Sequence, residues 1–327
     1  MTTAIGGEAE VYAELEAEPR RAASPTGRTL RRLLRKKLAV ACLVVIAIFY
    51  AAGIFAPLLA PHGYSEQNLD LSFSGPSVDH PFGTDRLGRD MLSRNMYAAR
   101  TTVVVTLATV LAGGFVLPLG LGLLAGYRPG AIDWAINRAG EVLSSLPALP
   151  MLLLINASLR TRFVDLVSWF EDRIHYHGLT SSGFADYFLI FSALSLFGWV
   201  GGMRLIRTQV LTLRSAEYVL AAEASGAGTW RIISRHLLPN VMPLVLVGVS
   251  ASLGAVAGSE IALTFLGVGI QPPHPSFGAL ITDGASRTVL ENHPQLLLVP
   301  ASIVASLIFA FNLLGDALND VITPGAR

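Results

Sequence analysis

Apolar positions along this chain fall into long blocks, rather than into the three-to-four-residue stripe of a surface helix or the alternation of a half-buried strand. A lipid core has no water to satisfy exposed backbone groups, so a block of about 20 apolar residues predicts a membrane-spanning helix. Six blocks meet that description: 38–60, 101–127, 132–157, 187–203, 241–270 and 295–314. The third is broken by Arg138, Glu141, Pro147 and Pro150, and its apolar character is confined to the stretch ending MLLLINA.

Basic residues near span ends favour the cytoplasmic side. Arg28, Arg31, Arg32, Arg35, Lys36 and Lys37 precede the first block and place the N-terminus inside, with the first span as an uncleaved anchor. Six crossings also put Arg204, Arg207, Arg214, Arg231 and Arg235 inside, whereas omitting the third would expose that basic loop. Both termini are then cytoplasmic, and 61–100, 158–186 and 271–294 are external. The expected division is a disordered, acidic, Ala-rich tail over 1–27, an anchor helix with its external segment over 28–100, a five-helix core over 101–318 and a cytoplasmic tail over 319–327.

Composition agrees: 52% of residues are hydrophobic and 14% charged, against about 25% charged in soluble domains. The net charge of +1 gives no reason to expect a nucleic-acid partner, whereas membrane lipid is an obligatory one. Cys42 is the single cysteine, which excludes an intrachain disulfide or a thiolate metal cluster. Lys36 and Lys37 are the only lysines and neither follows a glycine, so the phosphate-cradling G-x-x-x-x-G-K-[ST] loop is absent. No H-E-x-x-H pair and no G-x-S-x-G elbow occurs either.

The stretch EYVLAAEASGAGTWRIISRHLLPN, 217–240, predicts a helix-turn-helix knuckle. Small Ala221, Ala222 and Ala224 suit a helix that another protein approaches closely. Gly226 and Gly228 allow the turn, and Thr229 is placed to cap a second helix ending before Pro239. From the residues alone, an ordinary amphipathic connector is the preferred reading.

The order Ala221-Ala222, Gly226, Leu238-Pro239 resembles the EAA loop of permease subunits in binding-protein-dependent ABC importers, with Leu220 where that family has its glutamate. HPFGTDRLGRDMLSR (80–94), EIALTFLGVGIQPPHPSFG (260–278) and FNLLGDALNDVITP (311–324) are similar to the C-type permeases of dipeptide, oligopeptide and nickel importers. The resemblance covers most of 30–325, but not the N-terminal tail or the loop at 160–183. It implies an all-α permease with the type I ABC importer fold in a bacterial or archaeal inner membrane. The implied partners are a B-type permease, two ATPase subunits holding ATP and magnesium, and an extracytoplasmic solute-binding protein. The chain itself would be non-catalytic, with no cofactor or metal, and would carry peptides or related small solutes. Glu217, Ala221, Ala222, Gly226, Gly228, Arg231, Leu238 and Pro239 become the ATPase-coupling residues.

Other features have structural readings. Asp85 with Arg89, and Asp90 with Arg94, have the i,i+4 spacing of a surface helix before the second span. Gly122 with Gly126 and Gly254 with Gly258 suit close helix packing, within this chain or against a second permease. His175 and His177 lack a third ligand at a metal-site spacing. Glu260, inside the fifth span, is expected to make a structural or gating hydrogen bond, and Glu141 to pair with Arg138. The rival is an autonomous ion-coupled transporter that carries protons on Glu260 and Glu141. An intramembrane enzyme would need paired catalytic groups that the spans do not supply.

Overall fold

A computed structural model describes residues 33–175, 178–180 and 182–322. The expected tail 1–27 and residues 323–327 of the expected tail 319–327, together with Arg28, Arg31, Arg32 and His177, lie outside these residues, and 319–322 belong to the last helix. Among the described residues the architecture is all-α, with one isolated bridge between Thr84 and Asp90. Five helices are long and apolar enough to cross a membrane, or six if one sharply bent pair counts as a span.

The first, α1 (Lys37–Ile54), packs against α2 (Met91–Tyr127) and the last helix, α10 (Gln295–Ile322). Its small residues permit close approach: a Cβ on Gly53 would meet the Ala99 backbone at 2.9 Å. Phe49, Ala98, Phe277, Leu307 and Phe311 fill the core between them.

The third predicted span is a different object. Residues 131–174 form α3 (Ala131–Ser145) and α4 (Ala148–Ile174), which meet at 89°. Pro147 stands at the N-cap of α4, where its missing N–H costs nothing and its ring stops α3 from continuing. Residues 158–174, read as part of an external loop, are the second half of α4.

α5 (Phe184–Arg214) has 31 residues where hydropathy marks only 187–203. At about 1.5 Å per residue it is about 46 Å long, well beyond a bilayer core of about 30 Å. Hydropathy detects only the apolar middle, while intrahelical bonding carries the helix on through Arg204, Arg207, whose Nε donates to Asp133 of α3 at 2.5 Å, and Arg214. Two short helices, α6 (Glu217–Ala224) and the start of α7 (Thr229–Phe265), form the knuckle; α8 (Phe277–Gly284) and α9 (Arg287–Asn292) precede α10.

Both α2 and α7 widen into a π-helical turn, at Val110–Val116 and Ile233–Leu237. Each turn sits just before a proline, Pro118 or Pro239, which has no N–H to close an ordinary i→i−4 bond. The predicted stop before Pro239 is therefore corrected: the knuckle's second helix runs without interruption into the fifth span. The glycine pairs pack within the chain. A Cβ on Gly122 or Gly126 would meet Ile206 at 2.8 Å or Val210 at 2.7 Å on α5, and one on Gly254 would meet Phe311 at 2.9 Å on α10.

Candidate functional site

The knuckle is built on a buried floor. Val219, Ile232, Ile233 and Leu237 pack with Leu123 of α2, Ile206 and Val210 of α5, and Val241 and Val245 of α7. Removing these apolar side chains from water holds a short helix that would be unstable alone. Two polar contacts brace the assembly, Tyr127 Oη donating to Glu223 Oε1 at 3.0 Å and Asn240 Nδ2 donating to Tyr218 Oη at 3.4 Å.

Gly226 makes the turn, with φ +80°. Its N–H donates to the Glu223 carbonyl at 2.9 Å and that of Ala227 to the Ala222 carbonyl at 3.0 Å, the paired bonds of a Schellman C-cap. No atom lies within 4 Å of where a Cβ would stand, so backbone conformation, and not internal crowding, asks for glycine here. Gly228 occupies the N-cap position of α7 without a side-chain cap bond, which corrects the role expected of Thr229; that residue is the first of the helix.

The predicted coupling residues lie together on this knuckle. Glu217, Ala221, Gly226, Gly228, Arg231 and Pro239 are exposed, and Ala222 and Leu238 are half-buried. The sequence reading named Leu220 only as the residue in the place of the family's glutamate, and did not name Tyr218. Leu220, which stands where the resembling family has glutamate, is 51% exposed, and Trp230 across the turn is 78% exposed. Both are large apolar side chains left uncovered beside the turn.

At the opposite end of α2, the structure overturns the surface helix expected over 85–94. Residues 83–90 form a loop, and Asp85, Arg89 and Arg94 are all buried. Asp85 Oδ2 pairs with Arg89 Nε at 2.7 Å and also with Arg94 Nη1, while Oδ1 accepts the Leu87 and Arg89 backbone N–H groups at 2.9 and 3.0 Å. Asp90, rather than pairing with Arg94, caps α2 by accepting from Ser93 N at 2.7 Å. Nearby, Asp186 of α5 accepts from Arg160 Nε of α4 at 2.8 Å and from Gln271 N at 3.2 Å, and Thr101 Oγ1 donates to the Pro275 carbonyl at 2.8 Å. The turn at 271–275 is thus held from two helices. Glu260 is fully buried; it accepts from Thr102 Oγ1 at 2.9 Å and Thr264 Oγ1 at 3.3 Å. Glu141 pairs with Arg138 at 3.2 Å on an exposed surface.

Residues 119–327 match the family described as binding-protein-dependent transport system inner membrane component. The chain belongs to this family. Residues 24–76 also match the N-terminal transmembrane domain of oligopeptide transport permease C. Among its relatives, the dipeptide transport system permease protein DppC of Bacillus subtilis is 36% identical over 96% of this chain and 90% of its own length. The oligopeptide permease OppC of Escherichia coli is 34% identical, covering 91% and 90%, and the glutathione permease GsiD of Pectobacterium atrosepticum is 31% identical, covering 90% and 89%. The chain is therefore a multi-pass permease component of a binding-protein-dependent importer in the inner membrane, a transport subunit and not an enzyme.

Proposed function

We propose that this permease forms half of a peptide-conducting path and couples it to ATPase subunits through residues 217–240. The observation that carries the reading is the knuckle: exposed Leu220 and Trp230 flank the positive-φ turn at Gly226, on a floor of buried Val219, Ile232 and Leu237. Because α7 is continuous from Thr229 to Phe265, a push on the turn is delivered to a membrane span as a rigid-body motion rather than lost in a loop. A B-type permease would supply the other half of the path, two ATPases would hold ATP and magnesium, and an external binding protein would deliver solute. In this arrangement both termini and the knuckle face the cytoplasm. The names of the relatives support dipeptides, oligopeptides or glutathione-like peptides as cargo, with nickel or related small solutes as the alternative.

Reconstitution tests the reading. The chain alone in proteoliposomes is expected to move no peptide under ATP or a proton gradient, and to import peptide once the other permease, the ATPases and the binding protein are added. Gradient-driven uptake by the chain alone would overturn the reading in favour of the ion-coupled rival.

A further inference from the structure

The segment between α1 and α2 holds a cluster that coupling does not use. His62 follows the short helical turn Ala56–Leu59, His80 opens the HPFG stretch, and Asp90 is the N-cap of α2. Folding gathers them. The imidazole centroids of His62 and His80 are 4.7 Å apart, His80 Nδ1 lies 3.0 Å from Asp90 Oδ1, and one candidate ligand atom from each residue lies within 4.8 Å of the others.

Hydrogen bonding decides which ring nitrogens are open. His62 Nε2 is 3.2 Å from the Asp79 carbonyl; a carbonyl only accepts, so Nε2 carries the proton and Nδ1 keeps a lone pair. His80 Nδ1 and Asp90 Oδ1 stand 3.0 Å apart, close to the spacing of two ligand atoms on one ion, so an ion taking the place of the proton between them is held by both. An imidazole that donates one N–H to a carbonyl or carboxylate and presents its other nitrogen is in the state in which histidine ligates metals.

We infer that His62, His80 and Asp90 form a binding site for a divalent transition-metal ion of the zinc or nickel class, which staples the α1–α2 segment to the first turn of α2. Two imidazoles and a carboxylate suit these ions better than magnesium or calcium, which favour oxygen alone. Tetrahedral bonds of about 2.0–2.2 Å place ligand atoms about 3.4 Å apart, a contraction of about 1 Å or somewhat more from the spacing seen. Rotation of the half-buried His62 ring supplies it, and the same partial exposure admits the ion and a water in the fourth position. The rest of the site is already held: Asp90 Oδ2 is fixed by Ser93 N, and the His62 backbone N–H donates to Ser93 Oγ at 3.1 Å.

The test uses the full-length chain purified with its co-purifying partners, stripped with a chelator, equilibrated with Zn²⁺ and desalted before the zinc is counted by mass spectrometry. One more zinc per copy is expected in the wild type than in His62→Ala, with His175→Ala retaining the wild-type amount. Because replacing His80 also disturbs the N-cap of α2, His62→Ala carries the comparison. Equal zinc in the wild type and His62→Ala overturns the inference. Replacing zinc with Co²⁺ gives an independent readout: a ligand-field spectrum lost in His62→Ala supports imidazole ligation, and one unchanged by the substitution refutes it.

Discussion

Gly226 shows how one backbone angle serves a function. At φ +80° an Ala strains the chain, and Gly226→Ala is expected to lose about 1 kcal/mol although nothing crowds its Cβ. Gly226→Asn, which tolerates the left-handed region, should fold better than Gly226→Val. Transport and solute-stimulated ATPase activity of the assembled importer, measured beside the amount of subunit in the membrane, separates folding from docking. Normal coupling in Gly226→Val would falsify the assigned role. Glu260 poses a different question, because its carboxylate holds Thr102 of α2 and Thr264 of its own helix. Glu260→Gln keeps an acceptor for Thr102 and presents an amide to Thr264, so ATP-driven transport should persist. Glu260→Ala leaves a cavity and takes the carboxylate partner from the Thr102 hydroxyl, while Thr264 keeps its bond to the backbone carbonyl of residue 260, and thermal unfolding in detergent should show a loss of about 2–5 kcal/mol. Abolition of transport by Glu260→Gln, with the fold intact, would point to a proton on this residue. The residue types at both positions were legible in the sequence. The partner threonine on α2 was not, because it lies 158 residues away and no local spacing pairs it with Glu260.

At the scale of elements, the start of α2 depends on buried charge. Asp85 offers two oxygens to two guanidinium groups and two backbone N–H groups while almost wholly removed from solvent. Asp85→Asn leaves Arg89 and Arg94 without their closest counter-charge, and is expected to lower stability by about 3–5 kcal/mol. The lowered unfolding midpoint should be accompanied by increased proteolysis of the 61–90 segment. A midpoint unchanged from wild type would sink this account. The i,i+4 spacing in this stretch suggested a helix because helices place such residues side by side. Gly83 and Gly88, with φ of +75° and +68°, fold the chain into a loop that brings the same groups together by another route. The knuckle's second helix was likewise cut short at Pro239 on local grounds, whereas a π turn accommodates that proline within a longer helix.

For the whole molecule, the topology is open to direct measurement. In a Cys42→Ser background, a membrane-impermeant thiol reagent applied from outside is expected to label a cysteine at Ser182 and spare one at Ser225. The reverse pattern would invert the molecule. Hydrophobic blocks and basic clusters determined the all-α class, the approximate spans and this expected orientation, because transfer into lipid depends chiefly on what a segment contains. Ordered motifs likewise marked the permease family, since the turn glycine and the small residues of the knuckle are local requirements. Other features depend on contacts between distant segments. The 89° angle between α3 and α4, the burial of the Asp85 network and the meeting of His62 with His80 were decided only when helices packed. Hydropathy registers a run of apolar residues and cannot see a helix continuing through charged ones, and charge spacing cannot tell a solvated pair from one enclosed by another element. Composition and local pattern therefore determined what kind of molecule this is, while tertiary structure decided which polar groups meet, because those meetings require closure of long chain loops.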